Sequence, residues 1–137
     1  GQHLELLELR LDGRLLPEHE YQVDEEQLHL NNVPERFTLE VTTRIYPKAN
    51  TALEGLYHSG NMLCTQCEAE GFRRITYYPD RPDVMARYTV TLRADKASYP
   101  VLLSNGNPVA QDEEGGRHWV RWDAPRCLAR RRPRSPR

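Results

Sequence analysis

The sequence predicts an all-β fold, an antiparallel β-sandwich or a saddle-like curved sheet, with one short helical turn near residues 69–75. Three observations predict it. From Phe37 the residues alternate strictly, with Phe37, Leu39, Val41, Thr43 and Ile45 on one face and Thr38, Glu40, Thr42 and Arg44 on the other, the pattern of a strand with one buried and one wet side. Asp12-Gly13 follows directly on the alternating Leu7, Leu9 and Leu11, a strong short-range hairpin signal. Further short alternating runs recur along the chain between turn pairs such as Asn105-Gly106 and Gly115-Gly116, the organisation of a sandwich or curved antiparallel sheet.

In chain order, Leu7, Leu9 and Leu11 form the apolar face of a first strand, with Glu8 and Arg10 between them, and a second strand returns after Asp12-Gly13. Tyr21 with Val23 and Leu28 with Leu30 make two more short strands before Asn31-Asn32-Val33-Pro34 breaks the pattern. The Phe37 strand ends at Pro47 to Asn50. Leu53 to Cys64, interrupted by Gly55 and Gly60, is expected to cross the sheet irregularly. Ala69 to Ile75 loses the period of two and follows a Thr65-x-x-Glu68 capping signature, which predicts a turn or two of helix that Pro79 and Pro82 stop. Tyr88, Val90, Leu92 and Ala94 resume the strand pattern up to a turn at Lys96-Ala97-Ser98. Tyr99–Leu103, Asn107–Ala110 and His118–Trp122 are three further strand candidates. No internal repeat is visible.

With 137 residues and 38% hydrophobic content, the chain has the size and make-up of one soluble domain. No apolar run approaches the ~20 residues that span a bilayer, and the N-terminus has neither a basic segment nor an apolar one of the leader type. The expectation is a chain without membrane contact. Of the 19 basic residues six are arginines between Arg126 and Arg137, so residues 1–125 hold thirteen basic against 20 acidic residues. That acidic body argues against nucleic-acid binding. Three cysteines, Cys64, Cys67 and Cys127, form no regular disulfide framework, as expected of a reducing compartment, and the cytoplasm is the expected location.

Most of the chemistry lies between Gly60 and Tyr88. Gln66 and Glu68 stand two apart, so in an extended segment an amide and a carboxylate leave the same face and can grip a small cation. The plainer alternative, which the residues alone favour, is a surface Gln66 and a Glu68 that caps the following turn. Cys64-x-x-Cys67 lacks the second ligand pair that structural zinc needs, so two reduced, partly buried thiols are expected. In Asp80-Arg81-Pro82 the proline fixes φ and Asp80 can accept backbone N–H groups, which predicts a structural corner; Arg73 and Arg74 are expected to be solvated or paired with surplus acids. Among the histidines, His19-Glu20-Tyr21-Gln22-Val23 is the nearest approach to His-Glu-x-x-His and lacks the second histidine.

Thr65-Gln66-Cys67-Glu68 followed by Asp80-Arg81-Pro82 resembles the N-terminal β-domain of the bacterial aminopeptidase N family of zinc metallopeptidases. The likeness extends through Asn50 to Tyr57, Cys64 to Arg73, Ile75 to Tyr78, Pro82 to Arg87 and Leu102 to Asn107, and covers residues 3 to 123. It implies a parent activity, zinc-dependent removal of N-terminal amino acids from peptides, in which Gln66 and Glu68 hold the free α-ammonium of the substrate. No catalytic residue and no metal ligand of that family has a counterpart in this sequence. The resemblance therefore implies a part that supplies the amine anchor, needs a catalytic domain as partner, and is inactive and zinc-free alone. The rival expectation is a stand-alone, non-catalytic β-sandwich that serves as a binding or scaffold module. The resemblance implies that residues 1–123 are a partial N-terminal β-domain of the aminopeptidase N type that begins some strands late. Residues 124–137 are then a basic, disordered tail outside the family pattern, the product of a shifted reading frame or a truncated gene.

Overall fold

The computed structural model describes residues 1–81 and 83–124, and the predicted basic tail lies almost wholly outside them. Among the described residues the architecture is antiparallel β throughout, with three single 3-10 turns, and no helix is long and apolar enough to cross a membrane. The all-β expectation holds. The chain divides into two compact units, Gly1–Arg81 and Pro82–Arg137.

In the first unit, β1 (Glu5–Leu11) lies between β2 (Arg14–Leu15) and β5 (Leu39–Arg44). Asp12 at φ 49 and Gly13 at φ 81 close the β1–β2 hairpin, the two left-handed residues that a type I′ turn requires. The Asp12 carboxylate accepts the Thr38 N–H at 2.7 Å, and the Asp12 N–H donates to the Thr38 carbonyl at 2.8 Å, which ties the turn to the start of β5. The predicted face of β1 needs one correction. The register against β5 shifts between Leu6 and Glu8, so Leu7 is the extra residue of a β-bulge and is 45% exposed. One inserted residue reverses the parity of everything before it; Leu6 therefore joins Leu9 and Leu11 on the inner face, opposite Thr43, Val41 and Leu39. Leu9, 2% exposed, is the centre of this small core, and Leu16 is buried with it. Burying one such leucine contributes about 1.5–3 kcal/mol. On the outer face Glu5 pairs with Arg44 and accepts a hydrogen bond from the Tyr46 hydroxyl.

The β3 (Tyr21–Val23) and β4 (Leu28–Leu30) hairpin forms as expected. Its loop is held by Asp24, whose carboxylate accepts the Glu26 and Gln27 N–H groups at 2.8 and 2.7 Å. Those bonds lower the Asp24 pKa. The Phe37 alternation becomes β5 only from Leu39; Phe37 precedes the strand and is exposed. A 3-10 turn at Pro47–Ala49 ends the segment.

Leu53 to Cys64 does not cross irregularly. It contributes most of a regular hairpin of β6 (Gly55–Ser59) and β7 (Met62–Gln66), paired from Gly55 with Gln66 to Ser59 with Met62 around the two-residue loop Gly60-Asn61. Gly60, at φ 57, supplies the left-handed residue that so tight a loop needs. The helical prediction for residues 69–75 survives as one 3-10 turn at Phe72–Arg74, without its predicted cap: Thr65 lies inside β7, the N-cap is Gly71, and no side chain caps the turn.

The second unit holds one sheet in the order β8 (Tyr88–Asp95), β10 (Arg117–Ala124), β9 (Asn107–Glu114). In β8 the burial alternates residue by residue as its sequence predicts. Gly115 at φ 59 and Gly116 at φ 78 close the β9–β10 hairpin. β9 runs along the sheet edge, exposed throughout, and carries the features that blunt an edge: Pro108, a bulge opposite Arg121 and Trp122, and the acids Asp112 to Glu114. Tyr99–Leu103 is not a strand. Pro100 lacks a ladder donor, Val101 and Leu103 are 68% and 75% exposed, and the segment is instead held where a ring nitrogen of His118 hydrogen-bonds the Tyr99 carbonyl at 2.7 Å.

Candidate functional site

The residues singled out as a cation grip sit where the β6–β7 hairpin gives way to a tight turn. The ladder fixes Gln66 at the last position of β7, opposite Gly55. Beyond it the chain turns through residues 68–71 into the 3-10 turn, and the Gly71 N–H closes this turn on the Cys67 carbonyl at 3.2 Å. The Glu68–Ala69 peptide bond is cis.

Two glycines permit this close return. A Cβ on Gly71 would lie 2.5 Å from the Gln66 carbonyl oxygen and 3.0 Å from the Cys67 Cα, both backbone atoms that cannot swing aside. Gly55, at φ 70, would place a Cβ 2.6 Å from the Arg74 Cβ. The hairpin end and the 3-10 turn thus meet backbone to backbone, and the turn between them has little freedom.

Gln66 and Glu68 are both exposed, and the Gln66 side-chain amide reaches the Glu68 carbonyl at 3.5 Å. The two are not the alternate residues of one strand that the spacing predicts. Strand geometry stops at Gln66, and Glu68 belongs to the turn. An amide oxygen and a carboxylate are chemically an acceptor set for a small cation with N–H donors, and the constrained turn carries the Glu68 backbone two residues beyond Gln66.

The corner at Asp80 is built as its sequence predicts, and Arg73 completes it. The Arg73 N–H and Nε both donate to the Asp80 carboxylate, at 3.0 and 3.2 Å, and Nη2 donates to the Asp80 carbonyl at 2.9 Å. Nη2 also pairs with Glu70 at 3.0 Å. Arg74 forms an ion pair with Glu54 at 3.0 Å, without hydrogen-bond alignment. Both arginines therefore pair with acids. Arg73 is the residue whose importance sequence reasoning underrated, since nothing in the local pattern says that it reaches seven residues forward. Pro82, the last member of the corner motif, lies outside the described residues.

Cys64 and Cys67 are half-buried free thiols. Burial pushes the Cys67 thiol up, and the Asp80 charge pushes it the same way. Among the described residues no three His, Cys, Asp or Glu side chains converge as metal ligands.

The Peptidase M1 N-terminal domain profile matches residues 9–127. Aminopeptidase N of Escherichia coli (strain K12) is 57% identical over 126 residues, which is 91% of this chain and 14% of the relative. Aminopeptidase N of Caulobacter vibrioides is 52% identical over 126 residues, with the same two shares. The solved structure of Legionella pneumophila aminopeptidase A in complex with aspartic acid superimposes with a TM-score of 0.86 at 39% identity, covering 90% of this chain and 15% of that one. The chain thus spans about one-seventh of the length of the relatives it matches.

Proposed function

This chain belongs to the peptidase M1 N-terminal domain family, and from that premise we propose that it serves a zinc aminopeptidase as the part that grips the free α-ammonium of a peptide substrate, through Gln66 and Glu68. One observation carries the reading: Gln66 and Glu68 are both exposed, with the Gln66 amide nitrogen 3.5 Å from the Glu68 main-chain carbonyl, where the backbone is held by the β7 ladder on one side and by the close approaches at Gly55 and Gly71 on the other. Glu68 supplies a charge-assisted hydrogen bond to the ammonium and the Gln66 amide oxygen accepts a second proton. Such a grip favours chain ends, because an internal peptide bond offers the Glu68 carboxylate no cation to pair with.

The capping alternative for Glu68 has less support, since the 3-10 turn has Gly71 at its N-cap and no side-chain cap. The sequence lacks His-Glu-x-x-His, and among the described residues no three His, Cys, Asp or Glu side chains converge, which supports assigning the zinc of such an enzyme to a partner domain. No step through the metal is assigned to this chain. The catalytic groups belong to the catalytic domain that the proposal gives it as partner, and the reduced thiols fit a cytoplasmic setting.

The test is a full-length relative in which residues 9–124 of this chain replace the matching segment, compared with its Glu68→Gln variant. Glutamine keeps the volume and one acceptor but removes the charge. In a full-length cleft that excludes water from the bound pair, losing one partner costs about 2–5 kcal/mol, or roughly thirtyfold to several-thousandfold in kcat/KM on peptides with a free amine. Unchanged kinetics, with about 1 kcal/mol of stability lost instead, would favour the cap.

A further inference from the structure

A two-residue anchor works only if its members keep a fixed separation. The ladder pairing with Gly55 sets the position of Gln66, but Glu68 lies beyond the last ladder pair. What fixes the far side of its turn is Arg73. Its side chain is 28% exposed and faces an Asp80 side chain that is 14% exposed. It links Asp80 to Glu70, which lies two residues from Glu68, and the Arg73 carbonyl accepts the Gln2 N–H at 2.8 Å. Asp80 in turn receives the Arg73 backbone N–H, so the 3-10 turn and the corner are fastened at both main chain and side chain. A planar fork is what this task requires. One guanidinium donates through Nε to the Asp80 carboxylate and through Nη2 to the Asp80 carbonyl while Nη2 also meets the Glu70 carboxylate, whereas a lysine ammonium is a point charge on a flexible stem.

We propose that Arg73, braced by Asp80, is a positioning residue for the substrate amine: it holds the 68–71 turn so that Glu68 stays within reach of the same ammonium as Gln66. The inference rests on the anchor reading of Gln66 and Glu68. It adds a residue that touches no substrate atom and acts through the turn.

The test uses the same full-length enzyme and two competitive inhibitors, leucinamide, which carries the amine, and 4-methylpentanamide, which lacks it. An inhibition constant does not depend on the fraction of folded enzyme, so a merely structural loss leaves both values in place. In Arg73→Gln the constant for leucinamide is expected to rise about tenfold, below the hundredfold that a 1 Å misplacement can cost, with that for 4-methylpentanamide unchanged. Arg73→Lys should recover part of the loss. Asp80→Asn, which keeps an acceptor for the Arg73 N–H, should shift leucinamide in the same direction and serves if the Arg73 variants do not fold. In the 137-residue chain itself, Arg73→Gln should speed hydrogen exchange at the Gly71 amide. An unchanged leucinamide constant, an equal rise for both inhibitors, or an unchanged Gly71 exchange rate would overturn the positioning role. Glu68→Gln separates the two claims. If it leaves leucinamide binding intact, the anchor reading fails; if it weakens leucinamide while the Arg73 and Asp80 variants do not, only the positioning role fails.

Discussion

Cys67 lies where the β7 ladder ends, half-buried, with its thiol pushed above the ordinary value by burial and then by the Asp80 carboxylate. The thiolate is the reacting form. Cys67 is therefore expected to alkylate more slowly with iodoacetamide at pH 8 in the folded chain than in urea, followed by mass spectrometry of its peptide. Because the folded value lies above the unfolded one, the stability drawn from the neutral thiol is complete below the unfolded pKa and is lost as pH rises through the folded one. Equal alkylation rates in the two states would remove the burial account. At this scale the sequence was informative wherever chemistry follows from residue type alone. The anchor role of Gln66 and Glu68 rests on the family resemblance, the residues alone favouring a cap, whereas the acceptor role of Asp80 could be named from residue type. The Arg73 fork could not, because a pairing between residues 73 and 80 depends on how the chain returns, and no periodicity records that.

Elements were legible where burial imposes a strict period and obscure where a single residue resets it. β8 and the body of β5 follow their alternation residue by residue. The bulge at Leu7 escapes such reasoning because Leu6 and Leu7 are equally apolar and only pairing with β5 decides which turns inward. The β6–β7 hairpin was masked by its own glycines, which look like interruptions but serve as a tight loop at Gly60 and a close approach at Gly55. The glycines also separate two physical effects that a substitution series can distinguish. At Gly13, φ 81, a methyl group would meet nothing within 4 Å, so Gly13→Ala is expected to lose only the backbone preference, about 1–2 kcal/mol. Gly71 has an ordinary φ of −85, and its cost is steric, against backbone atoms at 2.5 and 3.0 Å. Overpacking of that kind costs about 1–3 kcal/mol or more. Gly71→Ala should also disturb the amine grip, while Gly13→Ala should not. Urea midpoints give the stability effects, and leucinamide inhibition of the full-length enzyme gives the second comparison. Equal leucinamide constants for the two variants would mean that the Gly71 contact does not govern the site.

For the molecule as a whole, the decisive quantity is what the 137 residues hold for chemistry. They carry the proposed acceptor pair Gln66 and Glu68 and five histidines, His3, His19, His29, His58 and His118, spread along the chain with no His-Glu-x-x-His among them. A catalytic zinc site needs three protein ligands and a structural one needs four, and among the described residues no three candidate ligands converge. Cys64 and Cys67 bring two thiols near the start of the turn, but the upward shift of Cys67 works against the thiolate that a metal requires. The purified chain is therefore expected to retain far less than one zinc per molecule after dialysis against the metal and then buffer, read by elemental analysis. It is also expected to hydrolyse aminoacyl chromogenic amides no faster than buffer does. The two measurements must agree in a particular way. Stoichiometric zinc without hydrolysis would mean a structural site that the described residues do not display. Hydrolysis abolished by a chelator would mean that the chain assembles a catalytic centre by itself, and the division of labour proposed here, an amine anchor on this chain and metal chemistry on a partner domain, would be wrong.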